Sequence, residues 1–224
     1  MSEYSPTLSE QGETMKLTVF GATGGIGREL VRQALDAGHE VTAVVRDPAR
    51  LGVTGDRLEV VHSDLAGPEE LRAAVRGRHA VLSGLGARGR KDAGVAARLT
   101  RTVLAAMEAE GVRRLLVVSA GPVGPSPADD GALDRGMRGL VSAILKDVYA
   151  DLRDMEAELA RSGTDWTSVR PPRLRDKPLT GRYRTVVGGF PPKGRFIARA
   201  DVAHAMLSMI DAEETLKQGV GVAY

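Results

Sequence analysis

The chain of 224 residues lies at the upper end of the single-domain range, and 42% hydrophobic residues suffice for a sizeable core without a partner. Lysine and arginine exceed aspartate and glutamate by only 31 to 29, with both signs scattered, so there is no electrostatic footprint for nucleic acid. With no cysteine, disulfides, thiolate metal sites and a thiol nucleophile are excluded, and no apolar run approaches a bilayer-spanning length.

The N-terminal "MSEYSPTLSEQGETM" is polar and lacks the basic start and apolar run of a signal peptide. Residues 1–14 are therefore expected to be a disordered tail, Met15 the natural beginning and the protein cytoplasmic. From Lys16 short β-branched runs alternate with helical ones, the pattern of βαβ units around a buried parallel sheet. "KLTVF" is strand one, and Gly25 to Ala37 form the first helix, stopped by Gly38. "EVTAVVR" and "LEVVHSD" are strands two and three; "PEELRAAVRG" is a helix opened by Pro68 and closed by Gly77. "HAVLSGLG" is strand four, a helix of about twenty residues ends at Gly111, and "RRLLVVSA" is strand five. "GPVGPSPADDG" is too rich in glycine and proline to be regular and reads as a substrate-side loop. A long amphipathic helix over Ser142 to Arg161 precedes strand six, "DWTSVRPP", which its prolines terminate. "LTGRYRTVVGGF" holds a short extra strand and "RADVAHAMLSMID" a further helix. The expected fold is α/β: a single domain over 15–224, a doubly wound Rossmann-type parallel sheet flanked by helices with a small C-terminal elaboration.

Gly21, Gly24 and Gly27 form G-x-x-G-x-x-G between strand one and its helix. The first permits a tight turn, the second lets backbone approach a pyrophosphate, and the third lets helix and strand pack closely. Helix N–H groups then face the anion, so the following Arg28 is expected to point to solvent. The lysine and hydroxyl of a P-loop are missing, which argues against ATP or GTP hydrolysis. Strand two ends "VVRDPAR", placing Arg46 where the dinucleotide ribose is read and Arg50 one turn later. Two guanidiniums suit a 2′-phosphate, so NADP(H) is favoured; Asp47 could instead neutralise Arg46 or serve a NAD ribose. In "HSDLAG", Asp64 suits an adenine amino group and Leu65 the ring face, the alternative being a turn aspartate. The small residues of "SGLGAR" let a ribose pass close to the backbone, with Arg88 in reach of a phosphate or substrate.

The strings "GATGGIG", "VRDPAR", "SDL", "LGAR", "VVSA", "VRPP" and "DVAHAM" occur in the order of the atypical short-chain dehydrogenases with NmrA-like NAD(P)-binding domains, which this chain resembles from Lys16 to about Ile210. Within that family "PPRLRDKPLTGRY" looks like the biliverdin reductase B branch, NADPH-dependent flavin and biliverdin-IXβ reductases. The resemblance implies that Thr23, Gly24, Gly25 and Ile26 cradle the pyrophosphate, Gly86 and Arg88 flank the central riboses and phosphates, Ser119 lies beside the nicotinamide and acceptor, and Pro171 and Pro172 border the nicotinamide pocket. Arg173 stands where that branch has a histidine, and "AGPVGPSP" lacks its aromatic residues, so the acceptor is left open.

Classical short-chain dehydrogenases use Tyr-x-x-x-Lys, in which the lysine lowers the tyrosine pKa. Here Tyr149 is followed four residues later by Arg153, and a structural Tyr149 is expected. Four scattered histidines offer neither a Ser-His-acid set nor metal-ligand spacing. Arg170 and Arg173, bracketing the prolines, would bind a substrate carboxylate or phosphate if they face the pocket. The expected activity is therefore NADPH-dependent hydride transfer to a planar conjugated small molecule such as a flavin, quinone or tetrapyrrole, with Ser119 orienting the acceptor or relaying a proton. The alternatives are an NADP(H)-sensing regulator without turnover and a nucleotide-sugar epimerase or dehydratase. No nucleic-acid or membrane partner is expected, and the protein would act as a monomer or small homo-oligomer.

Overall fold

Strands β1 (Lys16–Phe20), β2 (Glu40–Val45), β3 (Leu58–His62), β4 (Ala80–Ser83), β5 (Arg114–Val118) and β6 (Asp165–Arg170) lie parallel in the order β3-β2-β1-β4-β5-β6. The computed structural model describes residues 13–86, 94–125 and 145–224. The tail through residue 12, Arg88, the loop from residue 126 and the expected helix start at Ser142 lie outside the described residues.

Strands β1, β4 and β5 read as nearly unbroken apolar runs because helices cover both faces of the sheet. On one face α1 (Gly25–Asp36) and α5 (Arg199–Ser208) bury Leu30, Val31, Val202 and Met206 completely. On the other, α2 (Glu69–Val75), α3 (Val95–Ala109) and α4 (Lys146–Arg161) bury Leu71, Met107, Met155 and Leu159. The chain is thus doubly wound, as its alternating pattern predicts.

The C-terminal part is larger than the sequence suggests. Beyond β6 the sheet continues with β10 (Gln218–Ala223), parallel to β6, and then β8 (Arg184–Val187), antiparallel to β10, for eight strands among the described residues. The glycines of "QGVGVA" give that segment low strand propensity and hide it from pattern reading. Packing requires them: a Cβ at Gly219 would run into the Arg170 guanidinium, and one at Gly221 would lie 2.5 Å from the Gly189 carbonyl oxygen. A second sheet, also unanticipated, pairs β7 (Arg173–Arg175) in parallel with β9 (Phe196–Ala198). No helix among the described residues is long and apolar enough to cross a membrane.

Charge sets the acid limit of this fold. Glu110, after α3, accepts from Arg76 at 2.7 Å and Arg72 at 2.6 Å on α2, and these guanidiniums hold its carboxyl at about 2 instead of the ordinary 4.5. Burial pushes His39 and His204 below the ordinary 6.5. In each case the unfolded chain binds more protons as pH falls, so stability is lost on acidification. A two-phase decline in thermal midpoint is expected: a shallow loss below pH 6.5 from the histidines, and a steeper one from 4.5 towards 2. Glu110→Gln should diminish the lower phase and leave the upper one in place.

Candidate functional site

Strand order reverses between β1 and β4, so their outgoing chains diverge and open a crevice beyond the carboxyl ends. The two turns meet there closely. Gly21 adopts φ +69°, and a Cβ on it would lie 2.8 Å from the Gly84 carbonyl carbon. A Cβ at Gly27 would collide with the Gly21 carbonyl oxygen, so this glycine serves helix-to-turn packing, as its place in the motif predicts. Gly24 caps α1 through its backbone, its carbonyl accepting from Arg28 N at 2.8 Å, while its own N–H donates to the Gly21 carbonyl at 2.9 Å. Among the described residues no side chain caps α1, and no acidic residue sits in its first turn, so its free N–H groups and positive dipole end are available to an anion. At α3 the chain does the opposite: the buried carboxylate of Asp151, from α4, accepts from Ala96 N and Ala97 N at 2.9 Å each. The protein fills one helix N-terminus with its own carboxylate and leaves the other for a ligand.

The crevice is a cavity of about 590 Å³. Of the residues singled out from sequence, Gly21, Thr23, Gly24, Gly25, Ile26, Arg46, Asp64, Leu65, Gly86 and Ser119 line it. A side lobe of about 290 Å³ is lined by Thr23, Arg46, Asp47 and Arg50. Asp47 does not neutralise Arg46; its carboxylate caps the short turn Pro48–Arg50, accepting from Ala49 N at 3.2 Å. Among the described residues neither Arg46 nor Arg50 has an ion-pair partner. Arg28, expected to point to solvent, is exposed but engaged: it donates to the carbonyls of Leu51 at 3.1 Å and Arg50 at 3.2 Å, fastening this loop to α1. Leu65 is held at φ +58°, a conformation that costs a leucine about 1 kcal/mol or more. Its N–H donates to Ser63 Oγ at 3.0 Å, and the strained turn keeps its buried side chain at the cavity wall beside Asp64.

At the far end Ser119 is buried and its Oγ has no hydrogen-bond partner among the described residues. Beside it lies a carboxylate that sequence reasoning missed. Glu156, on α4, accepts from Ser168 Oγ at 2.7 Å and from Arg170 Nε and Nη2 at 3.0 and 2.5 Å. Burial by itself would raise the Glu156 pKa; the Arg170 guanidinium and Ser168 hydroxyl outweigh it and hold the carboxyl below its usual range. Arg170, a candidate substrate ligand, is therefore turned away from the cavity into a buried ion pair. Pro171, Pro172 and Arg173 are likewise absent from the cavity lining. The Pro171 carbonyl accepts from Gly121 N at 2.8 Å, and Arg173 is exposed on β7. Tyr149 is buried in the core, where burial pushes its phenol up from the ordinary 10, while Arg153 is exposed.

The wall also includes residues that periodicity marks only as core or surface, among them Val95 and Leu99 of α3, Val148 and Leu152 of α4, Leu174 of β7, and the cations Arg98 and Arg199. The string "DKPLTGRY" is a dock for α5. Asp176 pairs with Arg199 at 2.6 Å; Thr180 N and Oγ1 and Gly181 N donate to the fully buried Asp201 at 3.0, 3.0 and 2.8 Å; Tyr183 OH meets His204 Nδ1 at 2.6 Å.

A family model described as NAD(P)H-binding matches residues 21–213. The chain is similar to the uncharacterized sugar epimerase YhfK of Bacillus subtilis (strain 168), 29% identical over 208 residues that cover 90% of each chain. It is also similar to the (4-alkanoyl-5-oxo-2,5-dihydrofuran-3-yl)methyl phosphate reductase of Streptomyces griseus, 32% identical over 155 residues, 69% of this chain and 46% of that one. A solved short-chain dehydrogenase/reductase (wide type) from Veillonella parvula in complex with NADP shares the fold, with TM-score 0.75 and 20% identity over 94% of each chain.

Proposed function

The chain belongs to the NAD(P)H-binding family, and from that premise we propose that it is an NADPH-dependent reductase acting on a planar conjugated acceptor. The observation that carries this reading is the basic side lobe at the end of β2, where, among the described residues, Arg46 and Arg50 stand without a carboxylate partner and Asp47 is committed to its turn. A ribose bearing a 2′-phosphate meets that chemistry, whereas a free ribose diol needs a carboxylate to accept its hydroxyls, and the lobe's Asp47 already accepts from Ala49 N.

In this reading Thr23, Gly24, Gly25 and Ile26 hold the pyrophosphate at the uncapped end of α1, Arg46 and Arg50 the 2′-phosphate, Asp64 and Leu65 the adenine, and Gly86 the ribose. A bound nicotinamide supplies a hydride. The protein's part is positioning: Val95, Leu99, Val148, Leu152 and Leu174 present an apolar wall against which a flat acceptor lies. Ser119 orients the acceptor, its buried hydroxyl left without a hydrogen-bond partner among the described residues and so available to a ligand. Glu156, held ionised well below neutral pH, is no proton donor, and Tyr149, with its phenol raised by burial, is no base; the acceptor takes its proton from water.

Following NADPH absorbance with FMN, a quinone or biliverdin added tests the proposal. Turnover is expected on at least one acceptor, faster with NADPH than with NADH. Tight NADPH binding with no oxidation by any of them would leave an NADP(H)-sensing regulator as the function. Conversion of a nucleotide sugar without net NADPH loss would establish an epimerase instead.

A further inference from the structure

Two cations line the cleft without a part in the reading above, Arg98 and Arg199, and the fold spends much more on placing the second. The ladder of β7 and β9 pairs Arg173 with Phe196, Leu174 with Ile197 and Arg175 with Ala198. The next step in that register brings Asp176 to Arg199, and their side chains join there, Oδ1 to Nη1, at 2.6 Å. The Arg175 guanidinium lies 3.9 Å over the Phe196 ring, Ile197 is fully buried, and Asp201 ties the start of α5 to Thr180 and Gly181. This second sheet is thus a rigid mount for one arginine.

Where that arginine goes is marked by a glycine. Gly25 is not one of the three spaced glycines of the turn, and the nearest atoms to a Cβ built on it all belong to Arg199: Cδ at 2.5 Å, Nε at 2.9 Å and Cζ at 3.8 Å. The missing side chain at position 25 makes room for Arg199 to cross the first turn of α1, beside its uncapped N–H groups. Asp176 takes a single donor of the five on a guanidinium, and that pair is solvent-exposed and weak. The remaining donors suit the paired oxygens of a diphosphate.

We infer that Arg199 is a diphosphate-binding residue of the cofactor site, delivered by the β7 and β9 ladder and admitted by Gly25. This rests on the dinucleotide reading of the cavity. Because NADH and NADPH share the diphosphate, Arg199→Ala should weaken both alike, by about 10- to 100-fold, in contrast to a change at the 2′-phosphate lobe. Gly25→Ala forces the Arg199 side chain aside, so it should cause a similar loss in the native background and almost none when added to Arg199→Ala.

The test is calorimetric titration of the native protein, Arg199→Ala, Gly25→Ala and the double variant with NADPH, NADH and adenosine 2′-monophosphate, which lacks the diphosphate. Loss for both dinucleotides, unchanged binding of the monophosphate and a strongly non-additive double variant are the expected results. An equal loss for the monophosphate would make Arg199 a structural residue and overturn the inference. Unchanged dinucleotide affinity with a raised KM for the acceptor would reassign Arg199 to the acceptor, and a full Gly25→Ala loss persisting beside Arg199→Ala would show that the added methyl blocks the site directly. A native protein that binds neither dinucleotide would overturn the cofactor reading itself, a result distinct from all of these.

Discussion

With Arg46 and Arg50 both replaced by alanine, NADPH affinity should fall by about a hundredfold or more while NADH affinity stays within a factor of about three. A hydrogen bond to a charged group contributes about 1.5–3 kcal/mol, and two guanidiniums on one phosphate offer several; exposure of both arginines brings the net towards the lower end. The contrast between cofactors is the informative part. Arg28 grips the Arg50 and Leu51 carbonyls through the loop backbone, so truncating the two side chains leaves the lobe's frame in place. Titrations at one fixed ionic strength measure the difference, and equal losses for NADPH and NADH would refute the 2′-phosphate assignment.

The second large effect is on stability. Glu156→Ala should cost about 3–5 kcal/mol in urea denaturation, because it strands the Arg170 guanidinium, whose side chain is 13% exposed, and removes the acceptor of Ser168. The loss belongs to an orphaned charge more than to a missing attraction, so exchanging the pair together, Glu156→Leu with Arg170→Met, should recover most of it. A loss below about 1 kcal/mol for the single change would mean that Arg170 swings out to water and that the network is not a unit.

What the sequence disclosed was what neighbours along the chain decide. The β-branched runs, the spacing of Gly21, Gly24 and Gly27, and the arginines closing strand two are local patterns with local meaning, and the structure keeps each where the pattern puts it. What it concealed depends on partners distant in sequence. Arg170 reads as a ligand because nothing beside it shows that Glu156 will claim it. Strand β10 escapes a reading from sequence because its glycines answer to Arg170, Gly189 and Phe190 from other segments. The "PPRLRDKPLTGRY" string reads as a mark of the cofactor and acceptor side, yet much of what it does is seat α5: Asp176, Thr180, Gly181 and Tyr183 all meet residues of that helix. Pro171 and Pro172 turn the chain towards β7 and leave the cavity wall to Leu174.

The insertion of β10 between β6 and β8 also constrains how the molecule assembles. β8 precedes β10 along the chain but is joined to the main sheet only through it, antiparallel over Val187 to Arg184, while β10 must find β6 in parallel after α5 has formed. A parallel pairing across an intervening helix carries a loop-closure cost before any contact rewards it, which makes it slow compared with a hairpin. Until it forms, β6 presents an open edge and β8 has no sheet to join, so the two outer strands enter together.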